Sequence, residues 1–171
     1  MKLFKKIARL FFGVTVGLAL GTCVTITFYS KSYQPYKWKS SPIIANCYGD
    51  DFYELKLQTA VKYWRDKGED IAFIVIDPPE SVCSKDYIDG FIIIKKAPKG
   101  SLGEGTLART HTKIEYLELR SALIHFEPGT QNLTFIVEHE LGHALGWKHI
   151  NEIGHIMNPT YELMGGKFWI P

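Results

Sequence analysis

Residues 139–149 read HELGHALGWKH and gather three imidazoles and one carboxylate in a short run of chain. His139 and His143 are four apart, so on a helix they lie about 40° apart in azimuth and their rings can meet on one metal ion. Glu140, beside the first of them, reaches a water on that ion without being a ligand. His149 needs a separate argument. Over the ten residues from His139 an unbroken helix turns through about 1000°, which leaves His149 roughly 80° off the first ring and about 15 Å further along the axis. A sharp bend must intervene, and Gly146 lies where a residue of positive φ would supply it. Three neutral imidazoles suit Zn2+ and leave one coordination position open, as in a catalytic site. The chemistry this allows is hydrolysis: the ion acidifies water and polarises a carbonyl, while Glu140 takes the proton and later passes it to the leaving amine. A helix with ordinary surface histidines is the competing reading. It is weakened by Gly146 and His149 falling on the same frame as the first three residues.

The same residues resemble a family. HELGHALGWKH matches the HExxHxxGxxH signature of the metzincin metalloproteases, and Ile156-Met157-Asn158-Pro159 resembles their Met-turn. The resemblance implies that Met157 packs beneath the three-His plane without being a ligand. Pro159-Thr160-Tyr161 is similar to the matrixin branch, where this segment walls the primed-side specificity pocket. Gly105-Thr106-Leu107-Ala108 resembles the matrixin edge strand, so Thr106, Leu107 and Ala108 are expected to receive an extended, antiparallel substrate. Trp147, Tyr161, Met164 and Phe168 are candidates for the primed side. The resemblance therefore implies a monomeric zinc endopeptidase with one catalytic ion, acting on peptide or protein substrates. It also has departures. Astacins and serralysins carry a zinc-binding Tyr where Pro159 stands, so a five-coordinate resting metal is not expected. The inhibitory Cys motif of matrixin propeptides is not seen, Asn46-Cys47-Tyr48-Gly49 being unlike it, and matrixin structural zinc and calcium sites cannot be traced. Ten residues follow Tyr161, so any C-terminal helix is expected to be very short or absent. Two other readings stay open: a zinc-bearing but proteolytically idle surface protein, against which the intact Glu140 argues, and a metal-dependent hydrolase of a non-protein amide such as a cell-wall cross-link.

Other elements must hold this site in place. Ile43-Ile44-Ala45 suits a first strand, and a helix is expected from Asp51 through the capping pair Asp51 and Glu54. Tyr53, Leu57, Val61 and Trp64 recur on one face of that helix, and Gly68 is placed to stop it. Ile71–Ile76 and Phe91–Ile94 read as buried strands, Thr106–His111 as an edge strand and Ser121–Phe126 as a further strand. Thr130 is the expected N-cap of the zinc helix, with Gln131 to Val137 as its first turns. The element order gives an α/β or α+β sandwich of helices on one sheet. Metzincin resemblance sharpens this to an α+β zincin domain, with a mostly parallel twisted sheet and an antiparallel edge strand. His111 and His125 fall in strands, and His155 is expected in a surface or loop role. Glycosylation at the Asn132-Leu133-Thr134 sequon is not expected at the start of the zinc helix.

The chain has 171 residues, 46% hydrophobic and 22% charged, which excludes disorder, collagen-like repeats and a disulfide-dense miniprotein, and allows one domain with a short appendage. Its net charge of +2 is unevenly placed. Lys2, Lys5, Lys6 and Arg9 contribute +4 in residues 1–9, residues 10–30 carry none, and residues 31–171 are left at −2. No domain-wide basic field exists for nucleic acid, which is not expected as a partner. The uncharged run of 21 residues from Leu10 to Ser30 spans about 31 Å as a helix, the thickness of a bilayer core. We expect a single-pass signal-anchor with residues 1–9 cytoplasmic, residues 31–42 as a tether and residues 43–171 as an extracytoplasmic catalytic domain, periplasmic in a bacterium. A cleaved signal peptide ending near Ala19-Leu20-Gly21, and a lipoprotein signal at Cys23, are the alternatives. Only Cys47 and Cys83 then share the exported domain, either as a disulfide or as two buried thiols.

Overall fold

A computed structural model describes residues 33–49 and 52–171. The expected membrane segment, the basic residues before it, Cys23 and the capping role of Asp51 lie outside the described residues. Among the described residues no helix is long and apolar enough to cross a membrane.

Residues Gln34–Trp169 form one compact unit built on a six-stranded sheet. Its strands are β1 (Lys37–Trp38), β2 (Ile43–Asn46), β3 (Ile74–Val75), β4 (Phe91–Lys96), β5 (Ala108–Glu115) and β6 (Glu118–Phe126). The helices are α1 (Glu54–Arg65), α2 (Glu80–Cys83) and α3 (Ile136–Ala144). β3, β2, β4 and β6 run parallel in that order, and β1 joins β6 in parallel at Lys37↔Glu118. β5 is the antiparallel edge, paired to β6 along its length through the hairpin turn Tyr116-Leu117. This is the expected mixed α and β fold with a mostly parallel sheet.

Ile92, Ile93 and Ile94 are all fully buried, because a strand inside a parallel sheet is covered on both faces. α1 lays Leu57, Ala60, Val61 and Trp64 against the core, and α3 contributes Ile136, Val137, Leu141 and Ala144. Each buried aliphatic side chain contributes on the order of 1.5–3 kcal/mol by leaving water. Trp64 sits where the two helices meet: its ring lies 6.2 Å from Trp147 and 5.3 Å from Phe168, and its indole N–H donates to the Glu138 carbonyl at 2.7 Å. Gly142 permits that contact, since a Cβ there would lie 2.5 Å from both the Trp64 ring and Met157 Sδ.

Several boundaries differ from the sequence expectation. α1 starts at Glu54, and Tyr53 is not on its buried face but 67% exposed, without a side-chain cap. The strand expected over Ile71–Ile76 is only Ile74–Val75. The Arg65 guanidinium donates to the carbonyls of Ile71 and Ala72, which occupies acceptors a longer strand would present. The edge strand begins at Ala108 and runs on to Glu115, so Thr106 and Leu107 precede it; the Leu107 carbonyl accepts the backbone N–H of Glu127 and the hydroxyl of Thr130. Within the stretch expected as a tether, Lys37–Trp38 is β1 and Gln34 is buried. Cys47, just after β2, is disulfide-bonded to Cys83, the last residue of α2, with Cα atoms 5.4 Å apart. Closing a loop of that length contributes about 3–4 kcal/mol by restricting the unfolded chain.

Candidate metal centre

α3 is a short helix with unusual ends. Thr130 does not cap it. Thr130–Asn132 forms a separate 3-10 turn, the Thr130 hydroxyl lies within hydrogen-bond reach of the Leu107 and Glu127 carbonyls, and α3 starts only after Phe135, whose φ is +65°. The Lys56 ammonium donates to the carbonyls of Asn132 and Leu133, holding this entry against α1. At the other end Gly146 adopts φ +98°, its N–H bonds the His143 carbonyl, and Trp147 N–H bonds the Gly142 carbonyl. That pair of bonds is a Schellman closure, and it supplies the bend required between His143 and His149.

The bend succeeds in bringing His149 back. Ring nitrogens of His139, His143 and His149 all lie within 4.8 Å of one another. His143 Nε2 is 3.1 Å from His139 Nε2 and 3.0 Å from His149 Nε2. On the far side of two of the rings, His139 Nδ1 donates to the Ile156 carbonyl and His143 Nδ1 to the Trp147 carbonyl, each at 2.8 Å. Those bonds fix the tautomers, so both Nε2 atoms carry lone pairs and no proton. Unprotonated nitrogens packed this closely repel unless a cation lies among them, and neutral imidazole suits zinc. The donor set therefore fits the ion that its spacing suggests.

Burial sets the electrostatics. It pushes His139 down to about 3 and His143 down to about 4, with repulsion from neighbouring imidazoles adding to both, and it also lowers His149. All three are neutral at pH 7 without help from a metal. Glu140 is pushed up to about 7 by burial, against the opposing hydrogen bond from Thr110.

Met157 is fully buried against Gly142 of α3, in the turn closed by Asn158 N–H to the His155 carbonyl. Ile156, the residue before it, supplies the carbonyl that orients His139. His155 lies in a loop, one of the two roles expected of it, but it is fully buried and not at the surface: Nδ1 accepts the Met157 N–H at 2.9 Å and Nε2 donates to the Trp169 carbonyl at 2.8 Å. It is part of the framework of the turn.

An open cleft of about 1330 Å³ runs past the three imidazoles and Glu140. Thr106, Leu107 and Ala108 line it from the β5 side, and Pro159, Thr160 and Tyr161 from the loop after the turn, so both candidate sets meet there. Met164 also lines it. Phe168 does not line it; its ring packs 4.8 Å from Trp147 and 5.3 Å from Trp64 instead. Trp147 touches the cleft but is mainly a core residue, only 7% exposed, with its indole N–H on Glu69 at 2.9 Å.

Three contributors had no sequence signal. Thr110 donates to the Glu140 carboxylate, Glu69 accepts from Trp147 and Gln34, and Trp38 donates to the Ala144 carbonyl at the end of α3. Each acts across a long stretch of chain.

Comparison with known proteins agrees with this geometry. The family model for matrixins matches residues 50–170 of the chain. No curated protein matches it.

Proposed function

The chain belongs to the matrixin family and is a zinc metallopeptidase; from that premise we propose that it is a membrane-anchored endopeptidase, with His139, His143 and His149 holding one zinc ion and Glu140 as general base. The observation that carries the reading is the convergence of three neutral imidazoles beside a buried carboxylate on one open cleft. When bound, zinc acidifies water and polarises the scissile carbonyl.

The chain's own residues do the rest. The carbonyls of Ile156 and Trp147 hold two of the imidazoles in the tautomer that leaves Nε2 free. Glu140, with a proton affinity near neutrality, takes a proton from water and returns it to the leaving nitrogen. Among the described residues the outer edge of β5 is unpaired and gives an extended peptide a strand to run against, with Ala108 at its start and Thr106 and Leu107 just before it. Pro159, Thr160 and Tyr161 face that peptide from the opposite wall. Export is supported by two features: the basic residues before an uncharged segment at 10–30, and the Cys47–Cys83 bond, which persists in oxidising compartments.

Glu140→Ala in the full-length chain tests the scheme. Zinc content by atomic absorption is expected to stay near one ion per chain while cleavage of an unbiased peptide library is lost. Undiminished cleavage overturns the role of Glu140. A wild-type protein that hydrolyses only cell-wall amides overturns the substrate class.

A further inference from the structure

β5 presents alternating faces. Arg109, His111 and Lys113 are exposed, while Ala108, Thr110 and Thr112 are half-buried; those three line the cleft, which Arg109 also borders. The register Thr110↔Ile124 sets Thr110 on the face of β5 turned toward α3, and a slip of one residue would turn its hydroxyl to the opposite face. The Thr110 hydroxyl lies 2.5 Å from Glu140 Oε2 and 3.2 Å from the Glu140 carbonyl. One hydroxyl proton serves one acceptor at a time, and the short contact to a carboxylate is the stronger. Among the described residues, Thr110 is the one side chain that hydrogen-bonds the Glu140 carboxylate.

We propose that Thr110 is a positioning residue: by donating to Oε2 it holds the Glu140 carboxylate in the rotamer that leaves Oε1 to take the proton from water. This rests on Glu140 being the general base. The physical need is clear. A base works only within about 2.6–3.2 Å of the proton it removes, and a misplacement of about 1 Å costs on the order of 100-fold in rate. Glu140 is buried on α3 with no other side chain among the described residues to orient it, and the hydroxyl comes from the strand whose outer edge receives substrate. The element that docks the peptide thereby also aims the base.

Thr110→Val keeps the shape of the side chain and removes the donor; Thr110→Ser keeps the donor and removes the methyl group. In the full-length zinc-loaded chain, kcat for a peptide substrate is expected to fall about tenfold or more in the Val variant, with KM within about twofold of wild type. The Ser variant is expected to recover kcat to within about threefold. Zinc content and melting temperature are expected to be unchanged in both. Crystal structures supply a readout independent of turnover: the Glu140 carboxylate takes a single orientation in wild type and turns away in the Val variant. The proposal is overturned by a Val variant with wild-type kcat, by a Ser variant no better than Val, or by an unmoved carboxylate. If the wild type cleaves no peptide, the assignment of function fails, and the carboxylate orientation alone decides the role of Thr110.

Discussion

Gly146 decides whether His149 can meet the other two imidazoles. Its φ of +98° is strained for any L side chain, and a Cβ there would strike the Tyr36 carbonyl oxygen and lie 3.1 Å from Leu119 Cδ1. Gly129 has nearly the same φ, +92°, with nothing within 4 Å of its virtual Cβ. The pair separates backbone strain from crowding. Gly129→Ala is expected to cost about 1 kcal/mol from the left-handed conformation alone. Gly146→Ala is expected to cost about 2–4 kcal/mol, because either the segment at Tyr36, just before β1, or the turn carrying His149 must move. Urea unfolding of the two zinc-loaded variants checks this; equal costs would mean that the approach to Tyr36 contributes nothing. At this scale the ligand set was legible in the sequence because it is local: His139, Glu140, His143, Gly146 and His149 lie within three turns of chain and a bend. Thr110 and Glu69 were not, since their partners lie 30 and 78 positions away.

The same contrast separates the elements that sequence reasoning found from those it missed. β4 was readable from its own apolar run, and α1 from the buried face carrying Leu57, Val61 and Trp64. β1 was not, because Lys37–Trp38 has no periodicity of its own and is a strand only because Glu118–Leu119 offers it an edge. The late start of α3 was equally hidden: it depends on Phe135 adopting φ +65° while Lys56 holds the preceding carbonyls. The segment from Gln34 to Trp38 forms a strap behind the turn that carries His149. Gln34 donates to Glu69 at 2.8 Å and to the Leu145 carbonyl at 3.1 Å, Trp38 donates to Ala144, and Glu69 also accepts the Trp147 indole. Glu69 therefore joins the strap to the turn. Glu69→Ala leaves the buried Trp147 N–H without its partner and is expected to cost about 2–3 kcal/mol, whereas Glu69→Gln keeps an acceptor and is expected to cost less than about 1 kcal/mol. Chelator competition is expected to show weaker zinc binding in the Ala variant, since His149 then sits on a looser turn. Equal stability and zinc affinity in the two variants would remove the strap from the account of the site.

Across the whole molecule, the net charge of +2 hides a division between a basic N-terminus and a domain whose most sensitive charges are ones it keeps switched off. His139 and His143 are held neutral by burial, at about 3 and about 4, and His149 and His155 are lowered as well. Each binds a proton more readily in the unfolded chain. The stability they allow is therefore full above the unfolded value of about 6.5 and is lost as pH falls toward 4 and then 3. Glu140 works in the opposite sense. Its folded value, about 7, lies above that of an unfolded carboxylate, so its burial costs stability above pH 7 and that cost fades as pH falls toward 4.5. The two effects overlap between about pH 4.5 and 6.5, and the histidines prevail there because several of them shift, His139 by more than the carboxylate and His143 by about as much. Metal-free protein is thus expected to melt at progressively lower temperature from pH 6.5 to pH 4.5. Zinc binds only unprotonated imidazoles, so its stabilising effect, about 4 kcal/mol at a thousandfold excess over Kd, is expected to shrink over the same window. Melting curves of EDTA-treated and zinc-loaded protein at pH 8, 7, 6 and 5 measure both trends at once. A metal-free melting temperature that stays level or rises on acidification would mean that the imidazoles are not buried as neutral groups and that the cation site is not preformed.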